Sequence, residues 1–296
     1  MAKILVLGAG GGVGRTFAER ARQGRIDLAP AFPGAIELLG LPHSELDVTV
    51  FAEVERVVFR ERPAVVVYAA GFSDLNACEW DKWQAYLVNR DAAGQAARAC
   101  AKAGAVFVYF GTDLLFDGAR RTPYREEDPP TPVNVYADTK LAGELDVMTH
   151  AERYLIVRTG WLYGAHFRGP VASLMDRLRS EDFVFGTENA VRQPTWADEL
   201  IDATCALLAK GKTGTWHLAA QGGATELDVA RRVAALLRPS ASAQPLSATT
   251  TRDLLSPYSV LDCSKAADEG VALPKWEESL ERYVRSIRGG DTKIGR

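Results

Sequence analysis

Cysteine and histidine are scarce in this chain of 296 residues, with four of each. Cys78, Cys100, Cys205 and Cys263 are widely scattered and form no CxxC. They read as small apolar residues in a reducing compartment, not as a disulfide framework. His43, His150, His166 and His217 show no ligand spacing, which argues against a zinc site, so no metal is expected. No apolar run approaches the ~18 residues of a membrane span. The N-terminal apolar stretch is too short for a signal peptide and runs straight into glycine, so a cytoplasmic protein is expected. A surplus of one charge is lacking too. Lys and Arg number 35 against 38 Asp and Glu, a net charge of −3, which leaves no basic excess for nucleic acid or an anionic membrane. Repeats and low-complexity tracts are absent. What remains is long enough to bury a sizeable core unaided, as one large domain or two modest ones.

The first half alternates strand-like and helix-like segments. Ile4 to Leu7 is an apolar run ended by glycine, as in a strand buried on both faces. A helix is predicted from Gly12 to Gln23, a strand at Ala35–Leu39, a helix at Val50–Arg60 and a β-branched strand at Ala64–Ala69. One long helical pattern covers Cys78–Lys102, followed by a strand at Ala105–Phe110. The prolines between Gly111 and Val133 make that stretch a surface loop. Asn134 is a good N-cap for the next helix, and Tyr154–Arg158 reads as a fifth strand. Helices are expected at 170–180, 196–210, 225–238 and 276–288, with short strands at 183–185 and 215–218. The pattern predicts an α/β fold with a doubly wound parallel sheet and a smaller C-terminal α+β lobe. Residues 1–164 would form the sheet domain, with 192–218 returning to it. Residues 165–288 would form the second lobe and 289–296 a disordered tail. No helix face stands out as an apolar stripe, so the oligomeric state stays open, a homodimer included.

GAGGGVG follows the first strand and opens the first helix. Gly8, Gly11 and Gly14 have GxxGxxG spacing, with Gly12 and Val13 between them. Such a turn needs tight backbone, close approach to a pyrophosphate and close helix–strand packing, and a helix N-terminus attracts phosphate charge. In this βαβ context the loop predicts dinucleotide binding. The usual GxGxxG would need glycine where Val13 stands, and the form found here resembles the extended short-chain dehydrogenase/reductase superfamily. A carboxylate that would select NAD by bonding the ribose 2′-OH is missing after the second strand, where Gly40 and Leu41 stand. Asp47 is placed to reach the adenine, while Arg15, His43 or Ser44 could meet a 2′-phosphate. NADPH is the expected cofactor, with NADH use left open.

YADTK puts Tyr136 and Lys140 four apart on a predicted helix, hence on one face. A phenol with its ordinary pKa near ~10 is a poor acid–base group at neutral pH. A nearby ammonium would lower that value, and the lysine could also hold the nicotinamide ribose. Together they could move a proton at a carbonyl oxygen while the cofactor moves hydride. Thr112 ends the fourth strand, where strand carboxyl ends face the ligand crevice, and its hydroxyl could donate to a substrate carbonyl. The plain alternative for Thr112 is a cap on the following turn.

GTDLLFDG, PYREEDPPTPVNVYADTKLAGE, VRTGWLYG and RQPTWADEL, in this order, resemble the dTDP-4-dehydrorhamnose reductase family from Gly8 to about Lys265. The resemblance implies NAD(P)H-dependent reduction of a 4-keto group on a nucleotide-linked 6-deoxyhexose. It assigns Thr112, Tyr136 and Lys140 as catalytic, and Ala69, Ala70, Gly71 and Asn89 to the cofactor side. Asp113, Trp161, Arg192 and Gln193 fall near the substrate. Gly111 and Leu114 depart from the family's serine and tyrosine, and Ser256 stands where its late Arg-Pro motif has arginine. These changes touch the sugar site and leave the trio intact. REED, RQPT and LDCSK are also similar to the regulatory subunit of methionine adenosyltransferase, a non-catalytic NADP binder. A sugar-nucleotide epimerase or dehydratase is the other alternative, with Thr112-Asp113 supplying half of the dehydratase pattern.

Overall fold

Apolar runs with no polar alternation form strands that must be covered on both faces, and β-branched and aromatic runs of this kind make the centre of the sheet. The computed structural model describes residues 2–246 and 254–289. Its main sheet contains β1 (Ala2–Leu7), β2 (Ile36–Leu41), β3 (Val65–Tyr68), β4 (Val106–Phe110) and β5 (Tyr154–Arg158). A sixth strand comes from far downstream. The order is β2-β1-β3-β4-β5 and then that last strand, every pair parallel. Alternate residues serve opposite cores. Ile4, Val6, Val65 and Val67 pack with Phe17 of α1 (Gly12–Arg22). Leu5, Leu7, Val66 and Tyr68 pack with Val54 and Val58 of α2 (Phe51–Glu61).

The single helix expected over Cys78–Lys102 is divided. Asp74 caps α3 (Leu75–Trp80) by accepting from Ala77 N at 2.8 Å. Asp81 then caps α4 (Lys82–Tyr86) through Gln84 N at 2.9 Å. A π-helical turn at Leu87–Asp91 leads into α5 (Ala92–Ala103). Aspartate side chains compete for backbone N–H groups, which is why the helix restarts instead of continuing. Asn134 caps α6 (Val135–His150) as expected, accepting from Ala137 N at 2.8 Å.

Beyond β5 the chain makes β6 (Leu162–Tyr163), α7 (Pro170–Arg177), β7 (Phe183–Gly186), β8 (Thr195–Trp196) and α8 (Ala197–Ala209). Then β9 (Gly214–His217) returns to the main sheet beside β5. α9 (Glu226–Leu237), β10 (Ser242–Pro245), α10 (Ser264–Asp268) and α11 (Trp276–Gly289) follow. β7 pairs with β10, and β6 with β8. Val171, Leu174, Val229, Val233, Leu280 and Tyr283 make a separate core between α7, α9 and α11. Residues 290–296, most of the segment read as a disordered tail, lie outside the described residues. Among the described residues, no helix is long and apolar enough to cross a membrane. None of their His, Cys, Asp and Glu side chains group in a way that could hold a metal.

Candidate active site

The carboxyl ends of β1, β3, β4 and β5 open onto two adjoining cavities. The first, of about 450 Å³, is bounded by Gly11–Val13 on one side and by Thr112, Tyr136 and Lys140 on another. The second, of about 570 Å³, carries Gly8, Arg15, His43, Asp47 and Ala69–Gly71. Gly8 has φ +82°, and a Cβ there would stand 2.5 Å from Ala70 N, so only glycine lets β1 turn beneath the β3 loop. Gly14 lines neither cavity. A Cβ on it would lie 2.6 Å from Ala9 Cα, so its role is to seat α1 against the turn. The N-terminus of α1 has no side-chain cap, which leaves its first N–H groups to meet an anion.

On the second cavity's rim, Asp47 accepts from Thr49 N at 2.9 Å and from its hydroxyl at 2.7 Å. Those bonds hold the carboxyl below its ordinary range. His43 is exposed 3.9 Å from it, and Arg15 is exposed beside the turn. The missing acid at Gly40 has a steric cause, since a Cβ there would come 2.9 Å from Ala9 Cβ.

Asn89 lines neither cavity. Its Oδ1 accepts from Phe72 N at 2.9 Å, while Nδ2 donates to Phe72 O at 2.9 Å and to Thr139 Oγ1 at 3.0 Å. The amide fastens the Ala69–Phe72 loop to α6 from behind, instead of facing a cofactor as the resemblance implied.

Thr112 is a cap, the plain alternative considered for it: its hydroxyl accepts from Leu114 N at 3.2 Å at the head of a 3₁₀ turn, and the residue also lines the first cavity. Tyr136 and Lys140 lie one turn apart on α6, and Lys140 Nζ rests 3.8 Å from the Tyr109 ring centre. Burial dominates their electrostatics. It pushes Tyr136 up to about 12, with Asp113 adding to it and Thr112 and Arg192 opposing. It brings Lys140 down to about 7 against the pull of Glu144. The lysine was expected to depress the phenol. Instead, desolvation raises the phenol, and the groups that oppose it are Thr112 and Arg192.

The substrate-side residues divide. Asp113 and Arg192 both line the first cavity and bond each other at 2.9 and 2.7 Å, and Ser259 donates to Asp113 at 2.6 Å. Trp161 lines the cavity in a left-handed backbone conformation, φ +41°. Gln193 does not reach it. Its amide donates to Ala220 O at 3.0 Å and Leu261 O at 3.2 Å, and its carbonyl accepts from Leu261 N at 2.7 Å. Its placement near the substrate is therefore corrected to a strut between backbone segments.

Residues 2–288 match the family model described as RmlD substrate binding domain. A dTDP-4-dehydrorhamnose reductase of Streptomyces griseus is 35% identical over 298 residues, covering 96% of this chain and 94% of that protein. The chain belongs to the dTDP-4-dehydrorhamnose reductase family. It is an oxidoreductase of the extended short-chain dehydrogenase/reductase type. Among solved members of the family, that of Bacillus anthracis, determined in complex with NADP, has a TM-score of 0.87 at 25% identity and covers 97% of this chain and 99% of its own. That of Clostridium acetobutylicum has a TM-score of 0.86 at 27% identity, with the same coverage.

Against that family's motifs, the geometry adds residues that spacing did not reveal. Glu144 is fully buried behind Lys140, held by Arg158 at 2.8 to 3.2 Å. Phe167 and Arg168 line the first cavity from the loop before α7. The only signal for them is a cation just ahead of a Gly-Pro helix start.

Proposed function

We propose that this chain reduces the 4-keto group of a dTDP-linked 6-deoxyhexose with NADPH. The observation that carries the reading is one cavity wall bearing Thr112, Tyr136 and Lys140 opposite the uncapped N-terminus of α1. The dinucleotide fits what is there: a glycine turn with no room for a Cβ, an acid-free strand end at Gly40, and Arg15 and His43 exposed where a 2′-phosphate would lie. When bound, the reduced nicotinamide supplies the hydride. Thr112 orients the substrate carbonyl through its hydroxyl. Tyr136 gives its phenolic proton to the same oxygen, and its raised pKa keeps that proton in place until charge develops there. Lys140 turns its ammonium to the ribose hydroxyls. Asp113 is locked by Arg192 and Ser259, so it is not a free acid for eliminating water, which favours reduction over dehydration. Residues 1–164 with the return at 192–218 would hold the cofactor and 165–288 the sugar, in a cytoplasmic enzyme. Sedimentation would tell a homodimer from a monomer.

The test is Tyr136→Phe assayed with NADPH and dTDP-4-keto-6-deoxyhexoses. A fall in kcat of at least ~10² is expected, and activity near wild type would sink the mechanism. A kcat/KM favouring NADH by about tenfold or more would remove the NADPH assignment, since that ratio is what discriminates between substrates.

A further inference from the structure

A nucleotide-linked substrate brings a second diphosphate into a site that already takes the cofactor's. An anion drawn out of water needs its own counter-charge. The first cavity is lined by three cations, Lys140, Arg168 and Arg192. Lys140 is buried over Tyr109 at the ketone end. Arg192 is neutralised by its two bonds to Asp113. Arg168 is exposed, and no hydrogen bond or ion pair joins it to any described residue. Its neighbours in the chain behave otherwise. Arg177 pairs with Glu181 at 2.7 Å and Arg179 with Asp176 at 3.4 Å.

The backbone on either side of Arg168 is tied down by hydrogen bonds. Phe167 N donates to Gly164 O at 3.1 Å, and Ser173 N to Gly169 O at 2.9 Å. The Phe167 ring lies flush on the dinucleotide turn, where a Cβ on Gly12 would come 2.7 Å from its Cε1. Gly169 and Pro170, which open α7, share the same cavity wall. A planar guanidinium suits bidentate recognition of phosphate oxygens.

We propose that Arg168 is a substrate-binding residue that grips the diphosphate of the nucleotide-linked substrate. The proposal rests on the keto-sugar nucleotide reading above, but its test does not require turnover. Calorimetry would measure dTDP, UDP and GDP binding to the wild-type chain, then carry the tightest of them, with its nucleoside and NADP⁺, to Arg168→Gln and Arg168→Lys. Loss of charge-assisted bonds should weaken the diphosphate roughly 10- to 100-fold in Arg168→Gln. Arg168→Lys should recover part of that loss, and the Kd values of nucleoside and NADP⁺ should not move. A diphosphate Kd within about twofold of wild type overturns the proposal, as does a loss confined to NADP⁺ or the absence of any diphosphate binding. Normal, Arg168-dependent diphosphate binding without reduction of any keto-sugar would overturn the functional reading and leave Arg168's role standing.

Discussion

Lys140 illustrates what a site residue costs the fold. Burial lowers it from the ordinary 10.5 to about 7. Between those values the unfolded chain binds more protons than the folded one, so stability rises as pH climbs from 7 towards 10.5. The penalty is complete below pH 7. Lys140→Met is expected to raise stability by at least ~1 kcal/mol at pH 6.5, with the gain fading above pH 9, while kcat falls. Urea unfolding at the two pH values checks it. Gly111 shows the opposite constraint. A Cβ there would overlap the Glu144 carboxylate and come 3.0 Å from Arg158 Cγ. Restoring the serine usual in the family, Gly111→Ser, should therefore destabilise by about 1–3 kcal/mol through overpacking against a buried ion pair. A midpoint unchanged in urea would contradict that. Thr112, Tyr136 and Lys140 were legible because a helix repeat and a strand end dictate their spacing. Asn89 and Gln193 were not, because their amides are consumed by backbone groups brought near only by the fold.

At the scale of elements, α6 carries the phenol and the ammonium, and its first turn depends on Asn134. The side chain caps Ala137 N, and its Nδ2 donates to Leu254 O at 2.7 Å, so one amide joins α6 to the late segment that supplies Ser259. Asn134→Ala should cost about 1–2 kcal/mol by thermal or urea unfolding, while Asn134→Asp, which keeps the cap and loses the donor, should cost less. Equal losses in both variants would put the whole effect on Leu254. The five long strands and the principal helices follow from apolar runs and caps. The two-residue strands β6 and β8, the polar β10 and the short α10 carry too few residues for any periodicity, and they exist because of what they pair with or pack on.

For the whole molecule, His217 at the end of β9 is completely buried, and burial together with the Arg158 charge takes it down to about 3. Its ordinary value is 6.5. The unfolded state therefore takes up a proton that the folded state refuses as pH falls below 6.5. That contribution to stability is whole above 6.5 and is lost progressively towards 3. Between pH 7.5 and 5.5 it amounts to about 1.4 kcal/mol. His217→Gln should lose less stability over that interval than wild type, and an identical loss would assign the acid sensitivity elsewhere.

The late arrival of β9 also orders events in time. Four of the five residues of β5 are buried, yet until Gly214–His217 is available their outer hydrogen-bonding row has no partner. A nascent chain that has already completed the glycine turn and the Thr-Tyr-Lys wall still presents an open, sticky margin to the solvent. Synthesis must run more than fifty residues past β5 before that margin is sealed. Fragments that stop short of this point, however complete their chemistry, are expected to end in aggregates.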